Sequence, residues 1–280
     1  MNNINSFVKE KEYLICIDSD GSAMDTMTTK HEKCFGPAAV EVWNLDNIED
    51  IFLKRWNEIN LYSKTRGINR FEGVVETFND LKAEGLEMPE IENLKEWVKT
   101  TSELSNDSLK REIEKKKENE DLKSALKWSQ LVNRKIAEEK ESISGIFNGV
   151  ESALAKIYDS ADLAVVSSAN YDALVEEWNN YNLSNYIEII LAQESGSKAA
   201  NIAGLKSKGY SSDKVLMIGD ALGDLKSAKE NNVLFYPILP GQEDKAWQRF
   251  VEESSDLFLA GSYQGEYEEK LISEFENILN

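Results

Sequence analysis

Histidine is almost missing from this chain. His31 is the only one among 280 residues, which excludes any catalytic or zinc site that needs two histidines from one chain. Cysteine is scarce as well. Cys16 lies in an apolar run and Cys34 precedes a Phe-Gly-Pro turn; their spacing fits no metal site, and they read as reduced thiols. No apolar stretch approaches the roughly 20 residues of a membrane helix. Residues 1–12 are polar and lack the apolar core of a signal peptide, so a soluble, cytoplasmic protein is expected. Positive charge is in deficit: 32 Lys and Arg stand against 51 Asp and Glu, for a net charge of -19. Such a surface repels nucleic acid and anionic membranes, and neither is an expected partner. It repels phosphate esters at long range too, so a phosphate site here would need local cations.

Hydrophobic residues make up 41% of the chain, enough for one core and a second module. Apolar runs at Tyr13–Ile17, Leu163–Val166, Ile187–Leu191, Val215–Ile218 and Val233–Tyr236 read as buried parallel strands. Helical patterns at about 170–180, 197–208 and 222–231 alternate with the later runs, which argues for a doubly wound α/β sheet of Rossmann-like type. Residues 25–150 break that rhythm. Ile48, Phe52, Trp56 and Ile59 recur at helical spacing, as do Val74, Phe78 and Leu81, and then Leu122, Ala125, Leu126, Val132 and Ile136. The mixed-charge run Lys110–Glu120 is a solvated helix face, and Met88-Pro89 breaks two helices. The expected organisation is a core of 1–24 and 151–280 with an all-helical domain, 25–150, inserted after the first strand. A helix near Trp247 and another near Glu268–Leu279 complete the core.

The first strand runs into Asp18-Ser19-Asp20-Gly21-Ser22, the second into Ser167-Ser168, and the fourth into Gly219-Asp220 with Asp224 four residues on; Lys198 sits near a helix start. Ligands of open α/β sheets bind beyond the carboxyl ends of the strands. Carboxylates converging there repel one another. A hard divalent cation with oxygen ligands resolves that conflict and selects magnesium over softer metals. Magnesium, a lysine and a hydroxyl together can neutralise a phosphoryl group. One carboxylate can then attack phosphorus while a second protonates the leaving group and activates water.

The order of these elements resembles the haloacid dehalogenase superfamily of aspartate-nucleophile hydrolases. Asp18-Ser19-Asp20-Gly21-Ser22 is similar to its first motif, Ser167 to its second, Lys198 to its third, and Gly219-Asp220-Ala221-Leu222-Gly223-Asp224 to its fourth. The resemblance covers about 12–24 and 160–240, and it implies that the inserted helical block is a cap. It implies Asp18 as nucleophile and Asp20 as general acid/base. Magnesium would be bound by Asp18, the Asp20 carbonyl, Asp220 and Asp224. Ser167 or its neighbour Ser168, with Lys198, would hold the phosphoryl oxygens. The sequence departs in Ser22, where Thr is commoner, and in the lack of a Pro after Lys198; Lys206 and Lys208 compete for that lysine's role. Asp20 argues for phosphate chemistry, because halide leaves without a proton.

The implied activity is a magnesium-dependent phosphatase acting on a small phosphorylated metabolite. A phosphomutase with the same residues and a non-catalytic binding protein of the same fold are the alternatives. Within the helical block, Lys64-Thr65-Arg66-Gly67-Ile68-Asn69-Arg70 concentrates three cations, which makes Arg66 and Arg70 candidate substrate contacts; His31 is a third. The six tryptophans are spread along the chain and read as packing residues rather than as a base-stacking platform.

Overall fold

The computed structural model describes residues 4–101, 103–116, 119–139, 143 and 145–279. Its contacts divide the chain into two units, Met1–Met27 with Ser144–Asn280, and Thr28–Ile143. Strand β1 (Tyr13–Ile17) opens the first unit. The second unit follows with helices α1 (Gly36–Trp43), α2 (Glu49–Leu61), α3 (Arg70–Ala83), α4 (Glu92–Thr100), α5 (Asn106–Lys115) and α6 (Glu120–Glu138). The first unit then resumes with α7 (Val150–Ile157), β2 (Ala161–Val166), α8 (Tyr171–Asn180), β3 (Ile189–Leu191), α9 (Lys198–Lys206), β4 (Val215–Gly219) and α10 (Leu222–Glu230). It ends with β5 (Leu234–Pro237), α11 (Glu243–Arg249), α12 (Ser255–Leu259) and α13 (Glu266–Ile278).

The five strands form one parallel sheet in the order β3-β2-β1-β4-β5. Side chains alternate between its faces. Ile15, Ile17, Leu163, Val165, Leu216 and Ile218 pack with Leu154 of α7, Trp178 of α8 and Trp247 of α11. Leu14, Cys16, Ala164, Val166, Val215 and Met217 pack with Ile202 of α9, Leu225 of α10 and Phe275 of α13. Both faces are covered, which is why the strands read as unbroken apolar runs rather than alternating ones. From β1 the chain builds outward to β2 and β3 on one side, and to β4 and β5 on the other. The strand order therefore reverses between β1 and β4, the place beyond whose carboxyl ends open α/β sheets bind their ligands.

Two details differ from the sequence reading. The third strand starts at Ile189 because a short 3-10 turn, Leu183–Tyr186, runs up to Ile187, and Glu188 turns its carboxylate to the Leu163 amide at 2.6 Å. Helices α7 and α12 were not anticipated; α7 is a short run of eight residues that buries Val150, Ala153, Leu154 and Ile157.

The second unit has its own apolar core. Phe52 and Trp56 of α2, Val74, Phe78 and Leu81 of α3, and Leu122, Ala125 and Val132 of α6 all face it, as their helical spacing requires. Asn69 starts α3 with a capping box, its side chain accepting from the Phe71 amide at 3.0 Å and Glu72 accepting from the Asn69 amide. Met88 and Pro89 lie between α3 and α4, outside regular structure. Among the described residues, no helix is long and apolar enough to cross a membrane.

Candidate active site

Asp18 follows the last residue of β1, and its amide donates to the Ile218 carbonyl of β4 at 2.9 Å. Ile17 is in register with Val165 on one side and Ile218 on the other. That register carries Ser167, just past β2, and Asp220, just past β4, to the same end of the sheet. The three carboxylates of Asp18, Asp220 and Asp224 offer oxygens within 4.8 Å of one another, and all three residues are buried. Lys198, at the first position of α9, reaches in from the side. Its Nζ lies 2.9 Å from Asp18 Oδ1 and 2.5 Å from Asp224 Oδ1. Lys206 and Lys208 go elsewhere, to the carbonyls of Asn231 and Asn5.

The electrostatics follow from burial. Desolvation pushes the Asp18 carboxyl well above the usual range, Lys198 opposes the shift, and Asp224 and Asp220 add to it. Asp224 is raised for the same reasons, burial first. Burial works against the Lys198 ammonium, but Asp18 and Asp224 outweigh it and hold the ammonium above its ordinary range. Among the described residues, Lys198 is the one cation paired with these three buried carboxylates, which leaves a net negative centre. Its donors are all hard oxygens, which fits a small divalent cation and does not fit a soft one.

The loop after β1 is folded tightly on itself. The Ser19 carbonyl accepts from the amides of Ser22, Ala23 and Met24 at 3.2, 2.9 and 2.8 Å. Gly21 stands at φ 81, in the left-handed region where a side chain is costly. Ser22 Oγ donates to Asp220 Oδ1 at 2.7 Å, so the hydroxyl that Ser22 keeps orients a carboxylate of the triad. Asp20 is only half-buried, and Thr26 Oγ1 donates to its Oδ1 at 2.5 Å. Thr26 was not singled out in the sequence: a threonine six residues downstream belongs to no spacing pattern until the loop closes. Ser167 is buried and its Oγ accepts from the Ala169 amide at 3.2 Å, whereas Ser168 is exposed.

The three candidate substrate contacts in the second unit have other occupations. Arg66 is only 4% exposed, and its guanidinium donates to the Leu61 carbonyl at 2.8 Å. Arg70 donates to Ser129 Oγ and Asn133 Oδ1 at 3.1 and 2.7 Å and stacks over Phe35. His31 stacks on Phe35 and Trp56. The cations that stood out in an acidic sequence thus tie α3 to α6 and close the turn after α2. Arg66→Ala is expected to cost about 1–3 kcal/mol, the penalty of an orphaned buried carbonyl, with KM unchanged; thermal melts and steady-state kinetics check it.

A family model described as haloacid dehalogenase-like hydrolase matches residues 89–237, more than half of the chain. The chain belongs to the haloacid dehalogenase-like hydrolase family. Ser167, Lys198, Asp220 and Asp224 of this hydrolase fall within the matched stretch, while Asp18 and Asp20 precede it, and the register of β1 brings Asp18 to the other two carboxylates. Solved structures agree on the fold. A protein of Lactobacillus delbrueckii subsp. bulgaricus, provisionally named a phosphoglycolate phosphatase, superposes with a TM-score of 0.53 at 15% identity, covering 90% of this chain and 98% of that one. A predicted phosphoglycolate phosphatase from Haemophilus somnus gives a TM-score of 0.50 at 14% identity, over 80% and 84% of the two chains. A hydrolase from Pseudomonas syringae gives 0.50 at 15% identity, over 85% and 90%. No curated protein matches the chain.

Proposed function

We propose that this hydrolase is a magnesium-dependent phosphatase that acts on a small phosphorylated metabolite through an aspartyl-phosphate on Asp18. The observation that carries this reading is the Lys198 ammonium held between Asp18 and Asp224 inside a buried carboxylate triad. Asp18, Asp220 and Asp224, with the Asp20 carbonyl, would hold magnesium, which supplies charge neutralisation for the phosphoryl group. Lys198 and Ser167 take phosphoryl oxygens. An Asp18 carboxylate oxygen bonds to phosphorus as the bond from phosphorus to the leaving oxygen breaks, and Asp20 gives that oxygen its proton. Asp20, now ionised, takes a proton from a water that attacks the acyl phosphate, which frees inorganic phosphate and restores Asp18. Thr26 holds Asp20 at the edge of the site, where both a leaving group and water can reach it. Cys16 plays no part: burial pushes its thiol up to about 12, and both cysteines are free, which suits a reducing cytoplasm.

The test is phosphate release from a panel of phosphate monoesters with magnesium and with EDTA, combined with reductive trapping and mass spectrometry at Asp18. Two of the structural neighbours bear phosphoglycolate phosphatase names, so 2-phosphoglycolate comes first in the panel. Magnesium-dependent release with the label on Asp18 is expected. Equal turnover in EDTA, or a label elsewhere, would overturn the reading. Transfer of the phosphoryl group to a sugar hydroxyl instead of water would make the enzyme a mutase.

A pH dependence follows from the raised carboxyls. Asp18 and Asp224 hold protons in the folded metal-free protein above the unfolded value near 4. Their contribution is therefore present below that value and is lost as pH rises through the raised folded values. Asp18 and Asp224 would release those protons on holding magnesium. The rise in Tm on adding magnesium is accordingly expected to grow from pH 5 to pH 8, read by thermal melts against EDTA; a shift that shrinks with pH would contradict it.

A further inference from the structure

Two buried tryptophans reach the catalytic loop from the same face of the sheet. Trp178 of α8 donates its Nε1–H to Ser19 Oγ at 3.0 Å. Trp247 of α11 donates its Nε1–H to the Ser22 carbonyl at 2.8 Å. Both rings are fully buried, as are Ser19 and Ser22. Ser19 sits between Asp18 and Asp20, and Ser22 is the residue whose hydroxyl holds Asp220. The two indoles thus grip the loop at both ends, on residues adjacent to the nucleophile and to the general acid and in contact with a candidate metal ligand. The indole is a rigid donor with one N–H and no acceptor, so a ring locked in a core fixes where its acceptor must lie.

We propose that Trp178 and Trp247 are positioning residues of phosphoryl transfer. Trp178 acts through Ser19 on the spacing of Asp18 and Asp20, and Trp247 acts through Ser22 on Asp220. The inference rests on the nucleophile reading above. Packing alone does not require either contact, because a phenylalanine would fill most of each space without donating a hydrogen bond to the loop.

The experiment compares wild type, Trp178→Phe, Trp247→Phe, Ser19→Ala and the Ser19→Ala/Trp178→Phe double variant, with Asp18→Asn alongside. Readouts are kcat and KM of the folded enzyme on its best monoester, magnesium affinity by calorimetry, and Tm. Removing a group that orients a catalytic residue or ligand costs about tenfold or more, so each tryptophan variant should lose about that factor in kcat with KM within about twofold. Both variants should also weaken magnesium binding, Trp247→Phe through Asp220 and Trp178→Phe through Asp18 and the Asp20 carbonyl, by about the same factor. Ser19→Ala should reproduce Trp178→Phe, and the double variant should be no worse than either, since both remove one contact. A purely structural role predicts lower Tm with kcat and magnesium affinity unchanged, and that result, or losses that multiply in the double variant, would overturn the proposal. Ser19→Ala removes little volume and carries the test should a tryptophan variant fail to fold. Full turnover by Asp18→Asn would instead overturn the nucleophile reading; inactive Asp18→Asn beside unperturbed tryptophan variants would overturn this inference alone.

Discussion

Asp18→Asn is expected to lose turnover by roughly 10⁴-fold or more, the scale seen when a nucleophile that forms a covalent intermediate is removed, and yet to melt at a higher temperature than wild type in EDTA. The two results share one cause. The Asp18 carboxylate is buried next to Asp220 and Asp224, and it shares the Lys198 ammonium with Asp224. Its charged form is disfavoured first by burial and then by its acidic neighbours, with Lys198 compensating only in part. An amide of the same shape removes one negative charge and leaves Lys198 paired with Asp224. The gain is on the order of 1–3 kcal/mol at neutral pH, the cost of an imperfectly compensated buried polar group. Magnesium should reverse the ranking, because wild type offers it a carboxylate that the variant lacks. Melts of both proteins in EDTA and in saturating magnesium, together with phosphate release, check the pair. A variant less stable than wild type without metal would mean that Asp18 is better compensated than this geometry allows. Both results together would mark the site as a place where stability is given up for reactivity.

Much of this was legible in the sequence because parallel strands buried on both faces leave continuous apolar runs. The candidate site residues also sit where such runs end: Asp18 after Ile17, Ser167 after Val166, and Asp220 after Gly219. Order along the chain became convergence in space through the sheet register. What stayed hidden was of two kinds. Thr26, Trp178 and Trp247 act on the loop through single hydrogen bonds spanning 6, 159 and 225 positions, and no local pattern encodes such a contact. The tryptophans were read as packing residues, which their burial supports; the direction of one N–H bond is all that distinguishes a packed indole from an oriented one. Arg66 and Arg70 drew notice in the sequence for the opposite reason. Their charge stood out against an acidic background, and the sequence does not tell that Arg66 donates to the Leu61 carbonyl and Arg70 to Ser129 and Asn133 of their own unit.

Gly219 and Gly223 are both glycines of the segment Gly219–Asp224, and alanine is expected to have opposite effects at the two. A Cβ on Gly219 would lie 2.4 Å from both Cβ and Cγ of Asp224 and 2.5 Å from its Oδ2. No rotamer change relieves this, because the clash includes the Asp224 Cβ itself. The Asp224 side chain is also held at its base, by the Ala221 amide on Oδ2 at 3.1 Å, and at its tip, by Lys198 on Oδ1. Gly219→Ala must therefore push α10 away from the end of β4 or force Asp224 out of the triad. Either way the carboxylate oxygens separate, and loss of one ligand's position should cost about 10²-fold in magnesium affinity and in kcat. Gly223, on the first turn of α10, has nothing within 4 Å of an added Cβ and no positive φ. There alanine replaces a flexible residue in a helix and should add about 0.5–1 kcal/mol of stability with magnesium affinity within about twofold, since Asp224 keeps its place. Calorimetric titration of magnesium into both variants decides the matter. Equal affinities would show that the strand end tolerates a side chain and that Asp224 is not held by its closeness to the Gly219 backbone. A loss confined to Gly219→Ala would establish that one missing methyl group lets the fourth strand bring the Asp224 carboxylate against Asp18.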